Sequence, residues 1–327
     1  MDIGAVLLDA LRSSVAIQAA VFALAAVGLN LQFGYTGLLN FGLVAFMAAG
    51  AYGLALSVEY GLPFWLGVII GAASAVVVAL LYGLPALRLR ADYLAITTIA
   101  VGEMIRLILR SNTAEPVTRG VFGVDKFANT FYAINPIPAG RYGWAQFSFT
   151  ERGLWAVAVT WALVAIASLI VWLLVRSPWG RVLKALRDDE DAARSLGKNV
   201  FNYKLQALII GGVIAAFAGL MRAVDAQAVR PDFFLTVVTF AIFTVVILGG
   251  TGTIWGPIVG AVVYWFVISF SEGILRELAD SGIISPEFMT DQDIGAIRFM
   301  GVGLALMLLV IFRPQGIVGR KEDGLLE

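Results

Sequence analysis

The chain has 327 residues, of which 60% are hydrophobic and 14% charged, and its mean hydropathy is +0.87. Lys+Arg and Asp+Glu balance at 23 each, and the chain has neither Cys nor His. A soluble domain carries about 25% charged residues, so most cytosolic enzymes and nucleic-acid binders are excluded, as are disulfide scaffolds, thiolate catalysis and Cys-based metal sites. An integral membrane protein with little catalytic equipment remains.

A hydrocarbon core about 30 Å thick needs about 20 apolar residues in a helix. Candidate spans run over 13–33, 37–58, 63–87, 91–110, 154–175, 203–224, 234–249, 254–272 and 294–312. The alternation of a membrane β-barrel is absent. The expected fold is therefore all-α, a polytopic transmembrane bundle of about nine helices forming one domain over 1–327. The first span reads as a membrane helix rather than a cleavable signal, since Asp2 and Asp9 precede Arg12. Lys and Arg favour the cytoplasmic side. They crowd into Arg88 and Arg90, into 176–204 (Arg176, Arg181, Lys184, Arg187, Arg194, Lys198, Lys204), and into Arg313, Arg320 and Lys321. Nine spans with an outside N-terminus put all three groups inside. The loop 111–153 and the acidic stretch 273–293 then fall outside.

Two segments look alike. Gly34-Tyr35-Thr36-Gly37-Leu38-Leu39-Asn40-Phe41-Gly42 and Gly249-Gly250-Thr251-Gly252-Thr253-Ile254-Trp255-Gly256-Pro257 each interrupt the hydrophobic pattern with Gly and Thr. Paired interruptions of this kind mark a transport pathway, because irregular backbone at membrane depth is tolerated only against protein or water. Asn30, Gly34, Thr36, Gly37, Asn40, Gly42, Gly249, Gly250, Thr251 and Gly252 are thus candidates for lining a path. The alternative is a pair of cytoplasmic turns, with Asn30 and Asn40 satisfying broken backbone. Glu103 is a further path candidate. It stands about 18 Å along its helix from Ala91, where a charge is expensive, and Arg106 lies on the same face. The alternative is an internal ion pair that fixes packing. Arg222 and Asp225 fit a helix-end pair, and Trp65, Trp144, Trp155 and Trp172 fit interface anchors.

The loop 177–198 contains a short amphipathic helix. Pro178 can start it and Gly197 can end it, and Val182, Ala185, Leu186, Ala193 and Leu196 recur at roughly helical spacing. A helix projecting into the cytosol suits docking into a partner's groove. Its candidate contact residues are Arg187, Glu190, Asp191, Ala192, Ala193 and Gly197. The alternative is a connector lying on the membrane surface.

Asp191-Ala192-Ala193, three residues and Gly197 resemble the EAA-x3-G loop of ABC importer permeases, with Asp for the usual Glu. The wider chain resembles the LivM-type permeases of branched-chain amino acid ABC importers over most of 20–320. The resemblance is carried by Leu29-Asn30 with Gly34 to Gly42, Gly50-Ala51-Tyr52, Leu87 to Ile96, Gly102 to Arg106, Ser177 to Gly197, Leu248 to Pro257, and Phe312-Arg313-Pro314-Gln315-Gly316. It implies a multi-pass protein of the bacterial inner membrane, in contact with lipid and not with nucleic acid. It further implies a LivH-type second permease, two ATPase subunits that hold ATP and Mg, and a periplasmic or lipid-anchored substrate-binding protein. The chain itself would bind no cofactor and would not be an enzyme, in line with its lack of a GxxxxGK[ST] loop. Transport would be by alternating access. Two departures bear on substrate. Gly42-Leu43-Val44-Ala45 lacks the family's usual His, and Arg119 in Val117 to Gly123 replaces a Gly.

Urea or a short amide is a neighbouring substrate reading, since urea importers use a similar permease. A stand-alone secondary transporter would leave the docking loop without a job. An intramembrane enzyme would need converging acid, base or metal-ligand groups, and without His or Cys only Glu103 and scattered carboxylates could serve.

Overall fold

Residues 3–144 and 146–280 are described by a computed structural model, with 300, 303–304, 307, 311, 313 and 315–319 beyond them. The chain opens with α1 (Ile3–Val15) and α2 (Ile17–Gln32), bent by 41° at the junction. Three helices follow: α3 (Leu43–Glu59), α4 (Phe64–Ala86) and α5 (Ala91–Arg110). The next segment holds short pieces, namely α6 (Glu115–Thr118), β1 (Val124–Asp125), α7 (Asn129–Ala133), and a hairpin of β2 (Arg141–Trp144) and β3 (Phe147–Thr150). Then come α8 (Glu151–Arg176), α9 (Pro178–Asp188), α10 (Glu190–Ser195) and α11 (Val200–Ala226). β4 (Ala228–Val229), a 3-10 turn (Pro231–Phe234), α12 (Thr236–Gly249) and α13 (Gly256–Asp280) complete the described elements.

Helices dominate because backbone polar groups in a membrane must be paired within the segment. Helix α2 is apolar all round and buried along nearly its whole length, as such a pattern requires. It packs against α11, α13, α8 and α12, and α11 in turn joins it to α3 and α4. Small residues permit the close approach: a Cβ on Gly211 of α11 would lie 2.5 Å from the Gly28 carbonyl oxygen of α2.

By length and apolar character, five described helical segments can cross a membrane: α4, α8, α11, Pro231–Gly249 and α13. The bent pair α1 and α2 makes six if it is one span. This is fewer than the nine expected. Helix α3 is only 17 residues long, and α5 carries Asp92, Glu103, Arg106 and Arg110. The expected span at 294–312 lies almost wholly outside the described residues. The expected span at 37–58 starts as a helix only at Leu43, because the chain from Phe33 to Gly42 is irregular. Helix α13 runs past its expected end at 272 to Asp280, with Arg276 paired to Glu272 at 2.7 Å.

The bundle has two distinct ends. One gathers Thr36 to Leu38, Leu87 to Arg90, Arg187 to Arg194 and Lys198 to Lys204 around a common hollow. This brings together segments that charge bias assigns to the cytoplasm. At the other end, β1 pairs antiparallel with β4, Val124 opposite Val229 and Asp125 opposite Ala228. There Arg119 grips Glu59 at 2.5 Å. Arg119 sits in the left-handed region at φ 62°, a conformation that suits glycine. Tyr132 of α7 donates to the Val224 carbonyl at 3.2 Å. Burial, with the nearby Asp225 charge, pushes its phenol up to about 12, so it remains a neutral donor. Trp155 anchors α8 to α7 through the Phe131 carbonyl at 3.2 Å.

Candidate functional site: the glycine-rich breaks and the helix beneath them

The two look-alike segments meet through one side chain. Asn30, 2% exposed in the last turns of α2, donates from Nδ2 to the Thr253 carbonyl at 2.8 Å and accepts at Oδ1 from the Gly252 N–H at 2.9 Å. Both ends of the amide are thus engaged by the second break. Gly34 packs at the same place, where a Cβ would lie 2.5 Å from the Gly252 nitrogen.

The first break climbs into the membrane layer. Thr36 Oγ1 returns to the Leu31 carbonyl at 2.8 Å. Asn40, fully buried, accepts from the Gly42 N–H at 3.0 Å and from the Tyr82 hydroxyl at 3.3 Å, and donates to Gln32 Oε1 at 2.9 Å. Gln32 in turn donates to the Leu208 carbonyl of α11 at 3.1 Å. Further up, Thr98 Oγ1 takes the Phe41 N–H at 3.0 Å and Thr239 Oγ1 takes the Val44 N–H at 3.2 Å. Thr98 stands about 10 Å along α5 from Ala91, and Thr239 about 15 Å along α12 from Gly249. Helix α3 therefore begins well inside the layer, and side chains from four neighbouring helices satisfy its irregular approach. Phe41 stacks on Phe243 at 4.4 Å.

The second break is a tight turn. Thr253 caps it, accepting from the Gly256 N–H at 3.0 Å and donating to the Gly250 carbonyl at 2.9 Å. The chain near 316–318 lies across it. Ile317 N–H reaches the Leu248 carbonyl at 3.0 Å and Val318 N–H the Gly249 carbonyl at 2.9 Å. Gly250 and Gly316 make this approach possible, since a Cβ on Gly316 would lie 2.6 Å from the Gly250 Cα. Thr251 is partly exposed in this turn.

The segment 177–198 is two helices, not the single one expected between Pro178 and Gly197. Asp189 is extended (φ −155°, ψ 108°), and its carboxylate caps α10 by accepting from the Asp191 and Ala192 N–H groups, each at 2.9 Å. An Asp inside an acidic run is a better N-cap than helix interior, so the run 188–191 divides the helix. In α10, Glu190 and Asp191 pair with Arg194 at 3.0 and 2.7 Å, and Glu190 also holds Lys204. Ala193 is buried and Ala192 exposed. Gly197 closes the turn at φ +75°, where a Cβ would meet no atom within 4 Å. Beside it Leu196 is 79% exposed, an isolated apolar side chain at the tip.

Arg187, at the end of α9, joins this segment to both breaks. Its Nη1 donates to the Gly34 carbonyl at 2.8 Å. A Cβ on Gly252 would lie 2.9 Å from the same nitrogen, and one on Gly37 (φ +72°) 3.4 Å from the Arg187 Cα.

Glu103 belongs to a different cluster at the other end. Arg106, its side chain 10% exposed, meets Glu103 at 2.5 Å and Asp232 at 3.0 Å, and Arg110 meets Asp232 at 3.2 Å. The expected pair of Glu103 and Arg106 is present, enlarged by a carboxylate from the turn before α12. Arg222 and Asp225 form no hydrogen bond or ion pair with each other among the described residues. Sequence reasoning passed over Gln32, Tyr82, Thr98, Thr239, Thr253 and Asp232. Thr98 and Thr239 share their helices with Thr97, Thr236 and Thr244, so only their burial, which demands a partner, singles them out.

Residues 11–311 match the family described as branched-chain amino acid transport system / permease component. The chain is 32% identical over 309 residues to the high-affinity branched-chain amino acid transport system permease protein LivM of Escherichia coli K12, covering 91% of this chain and 68% of that one. It is 24% identical to a probable branched-chain amino acid transport permease protein LivM of Methanocaldococcus jannaschii, covering 92% and 91%. Identity to the LivH permease protein of Escherichia coli K12 is 26%, covering 92% of each. With a multi-pass helical architecture and a match along nearly its whole length, the chain belongs to the family of permease components of branched-chain amino acid transport systems.

Proposed function

We propose that this chain is a membrane-spanning permease subunit of a binding-protein-dependent ABC importer that moves branched-chain or other neutral amino acids across the bacterial inner membrane. Its companions are a LivH-type second permease, two ATPase subunits carrying ATP and Mg, and a periplasmic or lipid-anchored substrate-binding protein. The observation that carries the coupling part of this reading is the Arg187 bond to the first break. A groove that takes α10 and the exposed Leu196 would pull on α9, and α9 is tied through Arg187 to the hinge region of α2 and α3. Residues Asn30, Gly34, Thr36, Gly37, Asn40, Gly42 and Gly249 to Gly252 act as that hinge and as the inner part of the path, while Glu103 belongs to its outer wall. Glu190, Asp191, Ala192, Ala193 and Gly197 form the docking tip.

The test is a tagged pull-down from native membranes in mild detergent, with partners identified by mass, followed by reconstitution. Recovery of a second permease and one or two ATPases, with ATP-driven uptake of leucine in preference to urea, is the expected result. Recovery of the chain alone, or uptake of urea in preference to leucine, contradicts the reading. Gly197→Trp should release the ATPase subunits while the chain still inserts; retention of normal uptake would remove the docking assignment.

A further inference from the structure

A second site lies at the end opposite the breaks. A cavity of about 370 Å³ opens between the start of α2, the end of α11, the first turns of α12 and the middle of α13. Its size is within the range of small-molecule sites. Phe22, Val238, Ala241 and Ile268 supply apolar wall. Gln18, Arg222 and Asp225 supply polar groups, and Trp265 adds ring surface.

Those polar groups are only loosely matched. Arg222 and Asp225 stand one turn apart on α11, in each other's field but without a hydrogen bond or ion pair between them among the described residues. The Arg222 guanidinium lies over the Phe233 ring, 5.8 Å from its centroid, and has no hydrogen-bond partner among the described residues. Asp225 accepts one long bond, 3.4 Å from Gln18 Nε2. The Trp265 ring is fixed edge-on against Phe22 at 5.3 Å, and its Nε1–H is buried away from the cavity. A guanidinium without a hydrogen-bond acceptor calls for an anion, a carboxylate with one long bond calls for a cation, and the walls call for hydrocarbon.

We infer that this cavity holds a zwitterion bearing an apolar substituent, its anionic group against Arg222 and its ammonium against Asp225. Two sources carry that chemistry, a free aliphatic α-amino acid and an ethanolamine phospholipid. The first deepens the permease reading and rests on it for the ligand's identity; the geometry of the cavity does not depend on that reading.

The full chain is placed in phosphatidylglycerol nanodiscs and titrated calorimetrically with L-leucine, then with leucinamide and 4-methylpentanoate, which each lack one charge. In a parallel arm, phosphatidylethanolamine is added and the retained lipid is counted by native mass spectrometry. Saturable leucine binding that falls at least about tenfold for either analogue, and in Arg222→Gln and Asp225→Asn, assigns the cavity to the free amino acid. Ethanolamine lipid retained by the unaltered chain and lost in the same variants, without leucine binding, assigns it to the headgroup. Ala241→Phe keeps both charges and fills the cavity, so it should abolish either binding without loss of fold. Binding of neither molecule, or binding unchanged in all three variants, overturns the inference. Leucine uptake by the assembled complex with no binding to this cavity would sink the inference alone. Leucine binding here by a chain whose complex does not import leucine would sink the permease reading alone.

Discussion

The two glycine-rich breaks share a sequence signature and differ in build. The first is a long irregular climb that starts α3 at membrane depth, held by buried amides and hydroxyls from α2, α4, α5 and α12. The second is a short turn capped by its own Thr253 and covered by the chain near 316–318. Glycine supplies permission for irregular backbone in both. What decides the outcome is which polar side chains are in reach of the freed N–H and C=O groups, because each must find a partner. Asn40 has Gln32 and Tyr82 beside it, so the first break can sink. The second is closed by the buried Asn30 and by its own Thr253, so it remains a tight turn.

That difference can be attacked by mutation. The largest loss is expected for Asn40→Ala, which strips partners from Gly42, Gln32 and Tyr82 in a fully buried place. It should cost about 3 kcal/mol and lower the detergent melting temperature strongly; an unchanged melting curve would show that the first break does not depend on this amide. Asn30→Ala cuts the link between the breaks and should cost about 2 kcal/mol. In a chain with no native Cys, a pair of spin labels on α3 and α13 should report a broader distance distribution in that variant, and an unaltered distribution would count against the clamp. At the outer cluster, Glu103→Gln keeps an acceptor for Arg106, and Asp232 still neutralises the guanidinium. With Glu103 38% exposed, the cost should stay under about 1 kcal/mol, with ATPase subunits still co-purifying; their loss would show that this cluster communicates with the other end. The smallest effect belongs to Arg119→Gly. Relief of the left-handed backbone offsets the lost contact with Glu59, so stability should move by no more than about 0.5 kcal/mol. A large loss of stability would mean that the ion pair, not the turn, fixes this loop.

Much of this was legible in the sequence, and the unread part has a common cause. The apolar runs and the glycine signatures are local patterns: the runs led to a helical bundle, though to nine spans where five or six described segments qualify, and the glycine signatures led to two breaks in helical backbone. The pairing of Arg106 with Asp232 joins residues 126 apart, and the Asn30 clamp joins residues 223 apart; no spacing rule encodes either. The depth of the first break was hidden for the same reason, since it depends on Thr98 and Thr239 of other helices. The division of the helix in the segment 177–198 was a missed local signal. Asp189 precedes two residues whose N–H groups it can cap, and an acidic run read as a solvated helix face holds a helix start within it.

The central claim is that Arg187 carries movement from the cytoplasmic segment to the breaks. The direct measurement is leucine uptake per ATP hydrolysed in the reconstituted complex containing Arg187→Gln. The account predicts normal assembly and continued ATP hydrolysis, with uptake per ATP reduced at least about tenfold, as expected when a charge-assisted hydrogen bond at a coupling point is lost. Uptake per ATP equal to that of the unaltered complex would contradict it.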